Sequence, residues 1–329
     1  MPHPYLGHIY QKDAVKRDEY TIPSESDAFN IGLFGGSVAA NLADYEAKTA
    51  TIEKILKQRI PELRNRKIHL INFALGYGAQ PRQATASLLY GRHLNLAVNL
   101  EGVNEMQKPM IPAYPNYFPK LELGELFYSV DAKNLVKTKS VFVDVMTVHA
   151  LEADLVEKRP ISSLWRSYLK FRIMRLYDSL RSFVLALEER SRVSDIPVAA
   201  LEDVWTHAVE DQTSIFAARK IPFIAFVQPA FGARNVKPLS DLENELGKSF
   251  TQERYETIQS QLNSGYQRLR QIPGLKVFNL EMIFRQTRET TYIDSCCHLN
   301  ELGNQMLSQA IANSISDSLV CTAKHCALK

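Results

Sequence analysis

What most restricts the fold of this chain is a recurring pair of signals: a short apolar run that stops at glycine, followed by apolar residues at helical spacing. Phe29 to Ser37 (FNIGLFGGS) is the first such run, and it reads as a buried strand ending in a tight turn. From Val38 to Ile60, Leu42, Tyr45, Ile52, Ile55, Leu56 and Ile60 are spaced as on one helix, which Pro61 ends. Lys67 to Phe73 (KIHLINF) is a second strand, running out towards Gly76 and Gly78. Gln83 to Tyr90 reads as a helix, and Leu94 to Leu100 (LNLAVNL) as a third strand that stops at Gly102. Two-residue hairpins cannot join such strands, because each gap is filled by a helix. The pattern therefore specifies a parallel sheet with crossover helices, an α/β fold.

Beyond Gly102 the pattern is interrupted. Met106 to Leu123 contains Pro109, Pro112, Pro115 and Pro119 among Tyr114, Tyr117 and Phe118, the composition of an ordered loop. Trp165, Leu169, Ile173, Leu176, Leu180, Phe183 and Leu187 outline a long amphipathic helix whose other side, with Arg166, Lys170, Arg172, Arg175 and Arg181, reads as a solvated face. A further helix is expected over Leu201 to Lys220, and a fourth strand over Pro222 to Val227 (PFIAFV). One more helix runs from Leu242 to Leu269 before a fifth strand, Leu275 to Leu280 (LKVFNL). No internal repeat or linker interrupts this order. A single domain over 1–329, with an irregular N-terminal segment 1–28 and a helical insertion at about 106–200 between strands three and four, accounts for all 329 residues.

Composition excludes several classes of function. Lys and Arg number 39 against 36 for Asp and Glu, a net charge of +3, too little to make a nucleic-acid footprint. No run approaches the ~18 apolar residues of a membrane span. The opening MPHPYLGHIYQKDAVKRDEY lacks a signal-peptide pattern, so the chain reads as cytoplasmic as it stands and as exported or anchored if an N-terminal segment precedes it. The sequence does not fix its oligomeric state. Four cysteines make no disulfide framework: Cys296 and Cys297 are adjacent and expected to be thiols, and Cys321 could pair with Cys326 near the C-terminus. Neither a CxxC pair nor zinc-type His/Cys spacing is present, so no metal or other cofactor is expected.

In an open parallel sheet, ligands bind beyond the carboxyl ends of the strands. Four groups fall there. Ser37 follows Gly35-Gly36 at a helix start, where a serine is either an N-cap or a nucleophile with its own oxyanion donor. Asn104, in EGVNE after strand three, suits either an oxyanion donor or a turn residue, and Gly76 or Gly78 could set a bare N–H beside it. In YIDSCCHLNELGNQ, Asp294 and His298 lie in the turn after strand five, where a neutral His held by a carboxylate can act as general base.

In order, FGGSV (34–38), NFALGYG (72–78), GVNE (102–105) and DSCCH with LNELG (294–303) resemble the four sequence blocks of the SGNH or GDSL hydrolase superfamily. The resemblance implies a flavodoxin-like three-layer α/β/α sandwich on a five-stranded parallel sheet. It implies Ser37 as nucleophile and first oxyanion donor, backbone Gly76 and the Asn104 side chain as further donors, His298 as base and Asp294 as its partner. The implied activity is serine ester hydrolysis of small acyl esters, such as acetyl groups on carbohydrate, or of lipid esters. An acyltransferase with the same triad and a non-catalytic binding module of the same fold are the alternatives. GGS stands in place of GDS, and GVNE in place of GxND. Asp294 and His298 are four apart where the family has DxxH, so one added residue has to be absorbed in the turn; failing that, Ser37 and His298 form a dyad.

Overall fold

All seven residues of Phe29–Gly35 (β1) are buried, and so are all six of Leu96–Glu101 (β3) and all five of Phe223–Val227 (β4). Strands covered on both faces belong inside a parallel sheet. Ile68–Asn72 (β2) and Lys276–Asn279 (β5) are only partly covered, as edge strands are. The computed structural model, which describes residues 2–3, 7–8, 28–74, 80, 82–107, 198–232, 236–248, 251–322 and 325–329, places them in the order β2-β1-β3-β4-β5 with every pairing parallel. This is the flavodoxin-like strand order, and helices cover both sides of the sheet. The chain moves outward from β1 to β2, then crosses back over β1 to β3. That reversal opens a crevice beyond the carboxyl ends of β1 and β3.

One helical layer holds Ser37–Thr49 (α1) and Thr51–Arg59 (α2), both packed against the C-terminal helix. The other holds Arg82–Tyr90 (α3), Val103–Gln107 (α4), Val198–Ala218 (α5) and, after Asp241–Gly247 (α6), Gln252–Leu269 (α7), with α5 touching α3, α4 and α7. The C-terminal helix is Glu301–Ser318 (α8). Aromatic rings join the layers: Phe34 of β1 stacks on Phe73 with centroids 5.0 Å apart and meets Phe216 of α5 at 5.8 Å, and Phe216 meets Phe223 of β4 at 5.1 Å.

Several expectations are corrected. The single helix over 38–60 is two, because Ala50 takes a left-handed conformation (φ 51°) and ends α1. Buried Glu46 holds the break together: its carboxylate accepts the Ile52 N–H at 2.9 Å and the Ser308 hydroxyl of α8 at 2.5 Å. The apolar spacing carries across the break because both halves pack on α8. The helix expected over 242–269 is likewise two, with Ser240 capping α6 and Thr251 capping α7. Residues 2–3 and 7–8, within the segment expected to be irregular, form a short antiparallel pair. Cys321 and Cys326 are joined in a disulfide that closes the hairpin of Leu319–Cys321 (β6) and Cys326–Leu328 (β7), while Cys296 and Cys297 are thiols outside any disulfide. The proline-rich loop from 108 onward and the amphipathic helix over 165–187 lie outside the described residues.

Left-handed backbone costs an alanine about 1–2 kcal/mol and a glycine almost nothing, against a smaller entropic penalty for glycine. Ala50→Gly is therefore expected to raise stability by about 0.5–1 kcal/mol. Urea unfolding checks this, and a loss of stability would contradict the capping account.

Candidate active site

The site begins with the close approach of two strand ends. Gly35 closes β1 at φ 150°, where a Cβ would come within 2.3 Å of the Leu100 carbonyl oxygen on β3 and 2.6 Å of Ala39 Cβ. No other residue fits that position without displacing backbone. Gly36 is the N-cap of α1 and Ser37 its first helical residue, so the reading of Ser37 as an N-cap is corrected. Its hydroxyl instead lies 2.7 Å from His298 Nε2. The first N–H groups of α1 have no acceptor within the helix and point towards the same end, where anionic charge is favoured.

His298 is supplied by a loop tied at its base. Tyr292 and Leu299 form an antiparallel bridge, flanked by hydrogen bonds from Ile293 N–H to the His298 carbonyl (3.0 Å) and from Asn300 N–H to the Thr291 carbonyl (2.8 Å). Asn300 then caps α8, its Oδ1 accepting the Gly303 N–H at 2.9 Å while its amide donates to the Thr290 carbonyl at 2.7 Å. Within the loop, Asp294 Oδ1 accepts the N–H groups of Cys296 (2.9 Å), Cys297 (3.0 Å) and His298 (3.2 Å). This winds the chain into a tight Asx-type turn. The other oxygen, Oδ2, hydrogen-bonds His298 Nδ1. The four-residue spacing is taken up in this turn, and Ser37, His298 and Asp294 are brought together in one chain of hydrogen bonds.

The electrostatics follow from these contacts. Burial pushes the Asp294 carboxyl upward, but the His298 hydrogen bond, the Cys296 N–H, the His298 charge and the Cys297 N–H outweigh it and hold Asp294 at about 2. The same hydrogen bond raises His298 above 6.5 against the opposing effect of burial. Asp294 thus stays ionised at any ordinary pH. Donation of Nδ1–H to Asp294 leaves Nε2 as the acceptor facing Ser37. Cys297 is buried, and its bond to Cys296, together with burial, pushes its thiol well up, so it is no thiolate nucleophile.

Asn104 is the second residue of α4, three residues past the end of β3 and half-buried, on the β3 side of the crevice whose β1 side carries Ser37. Gly76 and Gly78 lie outside the described residues. Sequence reasoning missed the support of the His298 loop. Glu243, with its side chain fully buried, accepts the N–H groups of Thr291 (2.8 Å) and Tyr292 (3.1 Å) through Oε1, and Lys237 Nζ (2.6 Å) and Ser240 N–H (2.9 Å) through Oε2. The spacing Ser240-x-x-Glu243 is a capping-box signature that could have pointed to part of this. Nothing local announces the reach to Thr291. Tyr292 adds a hydrogen bond from its hydroxyl to the Ala230 carbonyl at 3.0 Å.

No family model and no curated protein matches the chain. Among solved structures it is similar to a putative acylhydrolase from Bacteroides fragilis (8% identity, TM-score 0.45, covering 93% of this chain and 97% of that one). It is also similar to a GDSL-like lipase from Bacteroides thetaiotaomicron (9%, TM-score 0.44, 94% and 98%). A third is the lipase/acylhydrolase from Enterococcus faecalis (12%, TM-score 0.41, 88% and 96%).

Removing one member of a buried ion pair strands the other charge, which costs about 3–5 kcal/mol. Lys237→Met is accordingly expected to destabilise the protein by about 3 kcal/mol, lessened by the backbone N–H groups and the Thr291 hydroxyl that remain on Glu243. Thermal unfolding measures the loss; a change below about 1 kcal/mol would mean that the pair does not anchor the loop.

Proposed function

We propose that the chain is a serine ester hydrolase that needs no metal and acts on small acyl esters of the acetyl type or on lipid esters. The observation that carries this reading is the Ser37 hydroxyl 2.7 Å from His298 Nε2, with Asp294 on the opposite ring nitrogen. A serine is a poor nucleophile until an adjacent base removes its proton. Here the Ser37 proton passes to Nε2 as Oγ attacks the ester carbonyl. Charge collects on the carbonyl oxygen, where the Ser37 N–H, the Asn104 amide and, by the sequence resemblance, the Gly76 N–H donate. The C–O bond to the leaving alcohol breaks as Nε2–H protonates it. Water then attacks the acyl-serine with Nε2 again as base, and release of the carboxylic acid restores the Ser37 hydroxyl. Asp294 remains ionised throughout, keeping the ring turned and stabilising the imidazolium.

Ser37→Ala is expected to lower hydrolysis of 4-nitrophenyl acetate by about 10³-fold or more with its circular dichroism unchanged. Retention of a tenth of the wild-type rate would remove Ser37 from the mechanism. The base must be neutral to act, and Asp294 favours its charged form. Activity is therefore expected to rise with pH through a midpoint above 6.5, and Asp294→Asn to move that midpoint down while cutting kcat. A wild-type midpoint below 6.5 would contradict the pairing. A chelator leaves the rate unchanged.

A further inference from the structure

Beneath Asn104 lies a buried polar network that the relay does not use. Glu101 is the last residue of β3, and only 2% of it is exposed. Its Oε1 accepts Trp205 Nε1–H at 2.9 Å and its Oε2 accepts the Gln80 side-chain amide at 2.8 Å. Gln80 also donates to Gln212 Oε1 at 2.6 Å, Asn99 donates to the same oxygen at 2.9 Å, and Gln212 in turn donates to Ser87 at 2.8 Å. Gly102 follows at φ 122°, where a Cβ would meet Leu262 at 2.7 Å and Trp205 at 3.3 Å. The chain therefore turns here over a packed floor.

Glu105 connects this floor to the turn. Its Oε2 accepts the Gly102 N–H at 2.8 Å, which is the glutamate half of a capping box across Val103 and Asn104. Its Oε1 accepts the Gln80 N–H at 3.0 Å. The capping bond alone needs only one of its oxygens, and Glu105 is 6% exposed. Burial, then the neighbouring Glu105 charge, raises Glu101 to about 8. A helix of five residues does not hold its own shape, and here one carboxylate ties the residue before it, Gly102, to Gln80.

We propose that Glu105 is a positioning residue: by binding the Gly102 and Gln80 N–H groups together it fixes the two-residue step that aims the Asn104 side chain into the crevice beside Ser37. The proposal rests on the hydrolase reading, with Asn104 as oxyanion donor. Glu105→Gln keeps the shape but leaves one N–H facing an amide NH₂ instead of an acceptor. It is expected to lower kcat on 4-nitrophenyl acetate by about tenfold with KM changed less than about threefold, because a misaimed donor weakens the transition state more than the ground state. In an Asn104→Ala background, already slowed by about 10²-fold, the same substitution should cost less than about threefold, since the group it positions is gone. Glu105→Asp, which retains the charge, should recover part of the loss, and it carries the same comparison if the glutamine variant does not fold. An equal fall in both backgrounds, or none in the wild-type background, overturns the proposal. Ser37→Ala in the same assay separates the two ideas. If it is inactive while Glu105→Gln runs at wild-type kcat, only the positioning role fails; if it is active, the hydrolase reading fails and the proposal with it.

Discussion

The site depends on one carboxylate that performs two tasks. Asp294 Oδ1 gathers three backbone N–H groups and so folds the turn that carries His298, while Oδ2 holds the imidazole that this turn delivers. Because the same group shapes the loop and orients the ring, the ring cannot take its place unless the loop has formed. The His298 hydrogen bond and charge, with the Cys296 and Cys297 amides, also keep the carboxylate ionised despite its partial burial. Around it, the Tyr292–Leu299 bridge ties the loop's two ends to each other, and the Glu243 carboxylate holds the first of them through Thr291 and Tyr292.

The sheet sets the other half of the geometry. Strand order reverses between β1 and β3, and Gly35 allows β1 to end against the Leu100 carbonyl with no side chain between them. Ser37 and Asn104 consequently start from adjacent strands at the same edge, each at the beginning of a helix. The helix that begins at Ser37 is long and packed on α8, whereas the one carrying Asn104 is short, and its own Glu105 carboxylate accepts the Gly102 and Gln80 N–H groups. Buried polar contacts of this kind would cost free energy if a partner were removed.

Much of this was legible in the residues, for reasons that differ by element. FNIGLFGG and LAVNLE announce inner strands because both faces are covered and the backbone must turn at glycine, so the apolar run and its end are both written locally. Asp294 and His298 could be named from spacing and position after strand five. That the four-residue interval would close as an Asx-type turn depends on amides, which leave no trace in sequence. The break at Ala50 was invisible because it is held by Glu46 and Ser308, 262 positions apart, beneath apolar spacing that continues across it. Glu101, an acid ending an otherwise apolar and amide strand, was a signal in plain view whose meaning required Trp205 and Gln80. The role assigned to Gly76 still rests on the sequence resemblance.

The claim on which the rest turns is that His298 activates Ser37. A fluorophosphonate probe phosphonylates only a serine whose proton is being withdrawn, with fluoride as the leaving group. Incubation of the native protein, followed by peptide mapping by mass spectrometry, is predicted to give a single adduct on the peptide carrying Ser37, and none in His298→Ala at equal folded content. An unlabelled native protein, or an adduct that persists at Ser37 when His298 is removed, would contradict the account.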